Sequence, residues 1–290
     1  MSSVTTRITE IKQPYGGYIK PSSLEVIKLN DGHALNPAEN IHGTTIGIVV
    51  DYMTRYMQTK NEKESFKISL AGADRAERIG KIEGAFMAAV DLLIQISGLD
   101  DNSITCACKL VSYDIWLRNP LSAMMDYEQA KEDGEDWTNR NVPDPETIEN
   151  IRIMVNRSLR FFEEYGPVTE DGFGFCPPNA TDETISKWKD VNKGNFGGYT
   201  TTVDSGDGDF LTKDTLWDFK VAKSKPTSKH TLQLLMYWIM GKHSGQECFK
   251  GITKLGIFNP RLNTVYLYDT ANILEETIKI VEKEVICYET

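Results

Sequence analysis

The stretch from Gly208 to Lys220 restricts the possible folds of this chain most, because two strand-like runs flank the polar pair Lys213-Asp214. Two such runs joined by a short polar turn predict a β-hairpin. With Lys213-Asp214 as the turn, the opposed pairs are Thr212 with Thr215, Leu211 with Leu216, Phe210 with Trp217, and Asp209 with Asp218. The prediction therefore fixes which side chains are neighbours across the two strands.

Strand side chains alternate between the two faces of a sheet, so the two faces of this hairpin differ in chemistry. One face is predicted to pack on the core, since it carries Phe210, Trp217, Phe219 and Val221. The other face carries Asp209, Asp218 and Lys220. Directly opposed carboxylates repel each other across about 5 Å. A divalent cation between them would remove that repulsion, because Mg²⁺ is bound by one or two carboxylates together with waters and phosphate oxygens.

A lysine on the face of the two acids has a chemical use as well as a structural one. Lys220 can orient the attacking water or help to deprotonate it, and it can offset the negative charge of a phosphoryl transition state. Because Lys220 lies off the aromatic face, replacing it should leave the fold nearly intact. Asp209→Asn should relieve repulsion and stabilise the metal-free protein. The opposing interpretation is an exposed hairpin whose Asp and Lys side chains pair at the surface.

A helix is predicted from His230 to Met240, closed by Gly241, and one polar line crosses its apolar surface. The line consists of His230, Gln233 and Tyr237, which follow one another at helical spacing. Buried polar groups need partners. We expect Gln233 and Tyr237 to contact substrate or to hold the acids and the lysine, and the alternative is that nearby backbone satisfies them.

The segment between hairpin and helix, residues 220–229, contains four lysines and no acid. Lys223, Lys225, Lys229 and the adjoining His230 are therefore predicted to contact a nucleic-acid backbone, although short lysine runs are usually solvated loops. The net charge of −10 and the pI near 5.0 argue against a protein that coats nucleic acid. They do not exclude an enzyme that guides a phosphate chain with one local basic patch.

The remaining sequence predicts an α/β chain with a long helical region before the strands. Helices are expected at residues 44–58, 74–96, 144–166 and 271–287, strands at 199–203, 208–212, 215–222, 251–258 and 264–268, and exposed loops at 126–141 and 166–198. The first 40 residues look irregular. The five cysteines have no disulfide or zinc spacing. Without a signal peptide or an apolar span, the expected location is cytoplasmic.

Asp209, the Asp218-Phe219-Lys220 triplet and the Gln233-x-x-x-Tyr237 helix together resemble the PD-(D/E)XK nucleases, most closely their RecB-like branch, which includes exonucleases. The resemblance covers residues 199–270. It implies a restriction-endonuclease-like core, a central mixed sheet flanked by helices, with a large, mainly helical N-terminal and inserted region. It also implies hydrolysis of DNA phosphodiester bonds with Mg²⁺ or Mn²⁺, and catalytic roles for Asp209, Asp218, Lys220, Gln233 and Tyr237.

The upstream helix carries a weaker match to the same family. RecB-like nucleases have Gly, His and Glu at four-residue intervals, and here Gly43, Gly47 and Asp51 stand at those intervals. Asp51 is therefore an implied third metal ligand, while the missing histidine leaves the exonuclease subtype open. The resulting prediction is a single nuclease domain over residues 1–290. Its core elements are 43–58 and 199–287, and 60–198 form the mainly helical insertion.

Two other functions fit the same residues. One is a catalytically inactive relative that binds nucleic acid or serves in assembly, and the other is an unrelated metal hydrolase acting on a small phosphate ester. The intact set of Asp209, Asp218 and Lys220 argues against the inactive relative. The lysine segment argues against the small-ester hydrolase, because it favours a polymeric substrate. DNA is the expected partner, with a recombination, helicase or defence-system protein as a further one. A phage or defence locus is a plausible origin by association.

Overall fold

The computed structural model describes residues 2–177 and 197–289, and its chain forms two compact units. The first unit contains Met1–Leu29 and Phe161–Thr290, and the second contains Asn30–Arg160. The fold is mixed α/β, with two mixed sheets flanked by helices, which confirms the predicted class at this level. Residues 178–196 of the expected surface loop lie outside the described residues.

The first unit contains both sheets. Its strands are β1 Ser2–Ser3, β2 Glu25–Lys28, β3 Phe173–Phe175, β4 Val203–Gly208, β5 Phe210–Leu211, β6 Thr215–Phe219, β7 Lys254–Asn259 and β8 Thr264–Asp269. The smaller sheet has the order β1-β4-β3 and the larger one β2-β8-β7-β6-β5. In the larger sheet β6 and β7 run parallel, while the other neighbours are antiparallel. The predicted hairpin of β7 and β8 is confirmed.

The hairpin of β5 and β6 has the register that the sequence predicts. Phe210 pairs with Trp217 and Leu211 with Leu216. The amide of Thr212 donates to the carbonyl of Thr215 at 3.0 Å, directly beside the turn. The predicted strand 208–212 is interrupted at residue 209, which separates β4 from β5. The chain therefore passes from one sheet into the other at Asp209.

The two faces of the hairpin pack against different clusters, as the alternation predicts. Phe210 and Trp217 belong to an aromatic cluster with Phe161 and Phe258, and partly buried Phe219 packs against it. The rings of Phe161 and Phe258 stack with centroids 4.2 Å apart. The opposite face packs on a large apolar cluster that includes Leu211, Leu216 and residues of the helix after the hairpin. The face that carries Asp218 is therefore covered by a helix.

The helices of the first unit are α1 Val4–Glu10, α10 Ser228–Ser244 and α11 Glu275–Ile280. A capping box of Thr227 and His230 begins α10, and Gly245, at a φ of 70°, ends it. The helix continues past Gly241, where the sequence predicted its end. A Cβ at Gly241 would lie 2.2 Å from the ring of Phe249, so this glycine serves close packing and not termination.

Four other predictions in the first unit differ from the structure. Within the expected loop 166–198, Phe173–Phe175 form the buried strand β3. Residues 199–202 are irregular and not a strand, and the Thr200 hydroxyl accepts the amides of Thr202 and Val203. The predicted helix 271–287 consists of α11 and a π-helical segment, Val281–Ile286. Within the irregular N-terminal region, β1 and α1 are regular, and Ser3 caps α1 by accepting the amide of Thr6.

The second unit is helical. Its helices are α2 Gly43–Thr59, α3 Glu62–Ser65, α4 Lys67–Arg78, α5 Ala85–Leu93, α6 Asp101–Leu110, α7 Asp114–Arg118, α8 Pro120–Glu132 and α9 Pro145–Tyr165. The predicted helix 144–166 is confirmed as α9, whose last residues belong to the first unit. The helix 43–58, which the sequence grouped with the core elements, lies in this second unit as α2 and packs against α6.

Two predictions in the second unit are wrong. The single helix 74–96 is two helices, because Gly80 lies against the ring of Trp116 and Gly84 adopts a φ of 74° that restarts the chain as α5. Part of the acidic loop 126–141 is helical. Pro120 occupies the first turn of α8 and the Asn119 side chain caps it, so the helix begins well before the acidic residues.

Buried charges in the second unit are paired. Arg157 donates from Nε to Asp31 at 2.6 Å, and both side chains are nearly inaccessible to solvent. Asp114 accepts the hydroxyls of Tyr52 at 2.7 Å and Ser69 at 2.6 Å. These pairs satisfy polar groups inside the helical core.

None of the cysteines forms a disulfide bond in the part of the chain that the structure describes. None of the helices in the described part of the chain is long and apolar enough to cross a membrane.

Candidate functional site

Asp218 is the buried centre of the predicted site. It lies on β6 with 3 % of its surface exposed, on the face covered by α10. Its Oδ1 is 2.8 Å from the Nζ of Lys220, two residues further along the chain. Its Oδ2 is buried and has no hydrogen-bond partner among the described residues. A buried carboxylate oxygen without a partner is costly, so this atom is suited to a cation or to a donor from a ligand.

Asp209 reaches the same place from the other strand. It lies at the bend between β4 and β5, and its Oδ2 accepts the amide of Phe219 at 2.5 Å. That amide belongs to the peptide linking Asp218 to Phe219. The structure therefore brings the two predicted acids to one end of the hairpin. The bond to Phe219 is a partner for Asp209 that the sequence did not reveal.

Lys220 lies among these acids with 30 % of its side chain exposed. Burial by itself would lower the pKa of Lys220. The charges of Asp218, Asp209 and Asp207, with the hydrogen bond to Asp218, raise that pKa above its ordinary value instead. Lys220 is accordingly an ammonium group at neutral pH in this arrangement, and it balances part of the negative charge around it.

Asp207 is a member of this acidic group that the sequence reasoning missed. It is exposed on β4, two residues before Asp209, and its charge acts on both Lys220 and Tyr237. The signal was present, since residues two apart on a strand point to the same face. The predicted strand begins at Gly208, one residue too late to include Asp207.

Tyr237 and Gln233 are buried on α10, as the polar line predicts. The Tyr237 hydroxyl donates to the backbone carbonyl of Asp207 at 2.6 Å, and the Gln233 amide donates to that hydroxyl at 3.1 Å. Burial, together with the charges of Asp207, Asp218 and Asp209, raises the pKa of Tyr237 well above its ordinary value. This matches the alternative in which backbone satisfies the tyrosine. Tyr237 is thus a positioning residue for the end of β4, where Asp209 begins.

We expect Tyr237→Phe to lower the free energy of unfolding by about 1–3 kcal/mol, because it leaves the carbonyl of Asp207 and the amide of Gln233 without a buried partner. Chemical denaturation of the purified variant measures this. Tyr266→Phe is the matched control, since Tyr266 is also buried but lies on β8, which is in the other sheet from β4. Equal stability of Tyr237→Phe and wild type would show that the bond to Asp207 contributes nothing.

Asp209 offers a test that separates its charge from its hydrogen bond. Asp209→Asn keeps an oxygen that accepts the Phe219 amide, whereas Asp209→Ala leaves that amide without its partner. We expect Asp209→Ala to destabilise the metal-free protein by about 1–3 kcal/mol. Asp209→Asn should stay within about 0.5 kcal/mol of wild type, because lost charge assistance and relieved repulsion oppose each other. Urea denaturation of both variants without metal measures these changes in the free energy of unfolding. Equal stability of the two variants would show that the hydrogen bond from the Phe219 amide to Asp209 does not stabilise the protein.

His230 connects the acids to the lysine segment. Its Nδ1 accepts the amide of Thr227 at 3.0 Å in the capping box of α10. Burial, with the charge of Lys220, lowers the pKa of His230, while Asp218 opposes the shift. The ring is therefore neutral at neutral pH, and Nε2 carries its proton. An N–H donor then lies where the charges of Asp218 and Lys220 act on the ring, and contact of His230 with phosphate stays a prediction.

The three other lysines of the segment are exposed, as predicted. Lys223, Lys225 and Lys229 lie between β6 and α10. Asn259 holds the beginning of the segment by donating to the carbonyl of Ala222 at 2.8 Å. The segment thus leads from the site lysine to the start of the helix that covers Asp218.

Asp51, the implied third ligand, lies on α2 in the second unit. Its Oδ1 accepts from the Nε of Arg55 at 2.9 Å, one turn further along the helix. Its assignment to a metal site stays a prediction. Among the residues that the structure describes, no group of three or more His, Cys, Asp or Glu side chains is arranged to hold a metal ion.

No family model, curated protein or solved structure matches this chain.

Proposed function

We propose that this protein is a metal-dependent nuclease of the PD-(D/E)XK type that hydrolyses DNA phosphodiester bonds. The observation that carries the proposal is the buried Asp218, whose Oδ2 has no hydrogen-bond partner among the described residues while Oδ1 contacts Lys220. Asp209 is held at the same end of the hairpin by the amide of Phe219. Two carboxylates and a lysine at one end of a hairpin are the groups that such a reaction uses.

The residues present fit a Mg²⁺ or Mn²⁺ ion. Mg²⁺ is usually bound by one or two carboxylates, and water and substrate oxygens complete its shell, so Asp209 and Asp218 are sufficient protein ligands. The Oδ2 of Asp218 is a buried oxygen to which residues 2–177 and 197–289 supply no hydrogen-bond partner. When bound, the ion would polarise a phosphoryl oxygen and lower the pKa of a bound water.

The side chains of this chain have separate tasks in the proposed reaction. The Lys220 ammonium orients the attacking water and offsets charge that develops on the phosphate. Tyr237 fixes the carbonyl of Asp207 and so the end of the strand that leads into Asp209. The neutral His230 donates from Nε2, and Lys223, Lys225 and Lys229 attract the phosphate backbone beyond the site.

Incubating the purified protein with linear, circular and single-stranded DNA, in Mg²⁺, Mn²⁺ or EDTA, tests the proposal. We expect cleavage with either metal and none in EDTA. An Asp218→Asn variant purified in the same way controls for a contaminating nuclease. Cleavage of linear but not circular substrates would assign an exonuclease, and failure to cut any substrate with either metal would overturn the proposal.

A second candidate is an inactive relative that binds nucleic acid. It is favoured because polar groups of the site already pair with each other. Lys220 forms an ion pair with Asp218, and the Tyr237 hydroxyl donates to the backbone carbonyl of Asp207. Binding measured by fluorescence anisotropy in EDTA distinguishes the two. The inactive module binds DNA and leaves it intact in both metals, and the nuclease cuts it.

A further inference from the structure

The helical second unit contains an open groove of about 470 Å³ between α5 and α8. Its apolar and aromatic lining includes Ala88, Leu92, Tyr113, Tyr127 and Trp137. The rings of Tyr113 and Trp137 meet edge to face, with centroids 5.0 Å apart. Sites for ligand groups commonly have volumes of about 300–1,000 Å³, so the groove can accept several large side chains.

The helices that line the groove also carry exposed apolar side chains. Met87 on α5 and Ile94, the residue after its end, stand four before and three after the groove residue Asp91, and they are 59 % and 72 % exposed. On α8, Met124 precedes Tyr127 by three residues, and the neighbouring Leu121 is 79 % exposed. Exposed apolar side chains beside a groove are typical of an interaction site, and methionine adapts its shape to a partner.

The polar lining of the groove is mainly acidic. Glu83, Asp91, Glu135 and Asp136 are exposed along it, and of its two lysines Lys109 already lies 3.9 Å from Asp136. The adjoining residues 126–136 contain six acids and one lysine. An anionic ligand would therefore be repelled. A cationic one would be attracted to both edges.

We propose that this groove binds a basic amphipathic helix of a partner protein. The apolar floor, with the exposed methionines beside it, accepts the apolar face of such a helix, and the acidic side chains along the groove pair with lysines or arginines beside that face. Charge complementarity selects this occupant over a nucleic acid or an acidic peptide. The inference concerns only the second unit and does not depend on the proposed nuclease activity.

The direct test uses a designed peptide and the full chain. The probe is a fluorescent helical peptide with leucines along one face and lysines along the other, and its control has the same composition in scrambled order. Fluorescence anisotropy measures binding, and ¹³C-methyl methionine NMR locates it. We expect the amphipathic peptide to bind more tightly than the scrambled one and to shift the Met87 and Met124 methyl signals. The signal of buried Met53 should stay unchanged.

Variants distinguish the contribution of the groove to peptide binding from the contribution of the protein's overall negative charge. Asp91→Asn with Glu135→Gln should weaken peptide binding about three- to tenfold, in line with the modest strength of exposed charge pairs. Met87→Ser with Met124→Ser should weaken it at least about tenfold, because apolar contact area is lost. The matched control is Glu146→Gln with Glu163→Gln, which removes the same charge from exposed positions outside the groove lining.

Three outcomes would overturn the inference. The first is equal weakening by the groove and control variants, which would mean that net charge alone attracts the peptide. The second is equally tight binding of an acidic amphipathic peptide of the same length. The third is a dimer in sedimentation experiments that Met87→Ser with Met124→Ser dissociates, since the groove would then be covered by a second copy of this chain.

Discussion

Lys220→Met should reduce DNA cleavage by about 10²- to 10⁴-fold, the usual contribution of a group that positions or transfers a proton. The loss should appear equally in kcat and kcat/KM, because the proposed contact of the ammonium strengthens as charge develops in the transition state. Single-turnover cleavage of a labelled DNA duplex in Mg²⁺ measures it. Lys225→Met, an exposed lysine of the same segment, is the control and should retain most of the turnover.

The same variant should also be less stable, which the sequence did not predict. Lys220→Met leaves Asp218 buried without its cation, and we expect a loss of about 1–3 kcal/mol, less than for a fully buried pair because Lys220 is 30 % exposed. The raised pKa of Lys220 makes this contribution present at neutral pH and lost only as pH rises beyond the ordinary lysine value of 10.5. Lys220→Arg should keep the ion pair and the stability but cut slowly. Wild-type turnover in either variant would end the proposed role of Lys220.

Asp218→Asn should abolish both the stabilisation by Mg²⁺ and the cleavage. A ligand that binds only the folded state at a hundredfold excess over its Kd raises the free energy of unfolding by about 2.7 kcal/mol. We expect Mg²⁺ to raise the free energy of unfolding of the wild type in this way and to leave that of Asp218→Asn unchanged. In this variant an amide replaces the carboxylate whose Oδ2 has no hydrogen-bond partner among the described residues. Thermal unfolding across a Mg²⁺ titration, beside cleavage assays, measures both quantities.

Asp214→Asn is the matched control for that experiment. Asp214 lies in the turn of the same hairpin and pairs with Lys254 at 3.0 Å, away from the face of Asp218. Asp214→Asn should retain the full stabilisation by Mg²⁺ and the cleavage activity. A Mg²⁺ shift that survives in Asp218→Asn would show that the ion binds elsewhere on the protein, and loss of the shift in both variants would point to general charge screening.

Much of the hairpin could be predicted from the sequence because its information is local. The turn position sets the register, and the register sets which side chains share a face. The pairs Phe210–Trp217 and Leu211–Leu216, and the division into an aromatic and an acidic face, therefore agree with the structure. The exposed lysines and the buried polar line of α10 follow from equally short patterns.

Segment ends were less predictable where glycines have two uses. Gly241 looked like a helix end and is a packing position against Phe249, while Gly245 is the true cap. The bend at Asp209 and the separation of α4 from α5 depend on contacts with distant residues, such as that between Gly80 and Trp116. Such contacts leave no local pattern in the sequence.

The local sequence specifies which acids and which lysine occupy one face of the hairpin, because strand periodicity is a property of neighbouring residues. The partners of these side chains depend on how distant elements pack. The packing of α10 brings Tyr237 to the carbonyl of Asp207, and the meeting of two sheets brings Asp209 to the amide of Phe219. Tertiary packing also buries Asp218 with one oxygen that has no hydrogen-bond partner among the described residues. Burial and pairing depend on residues far apart in the chain, whose proximity appears only when the sheets and helices pack.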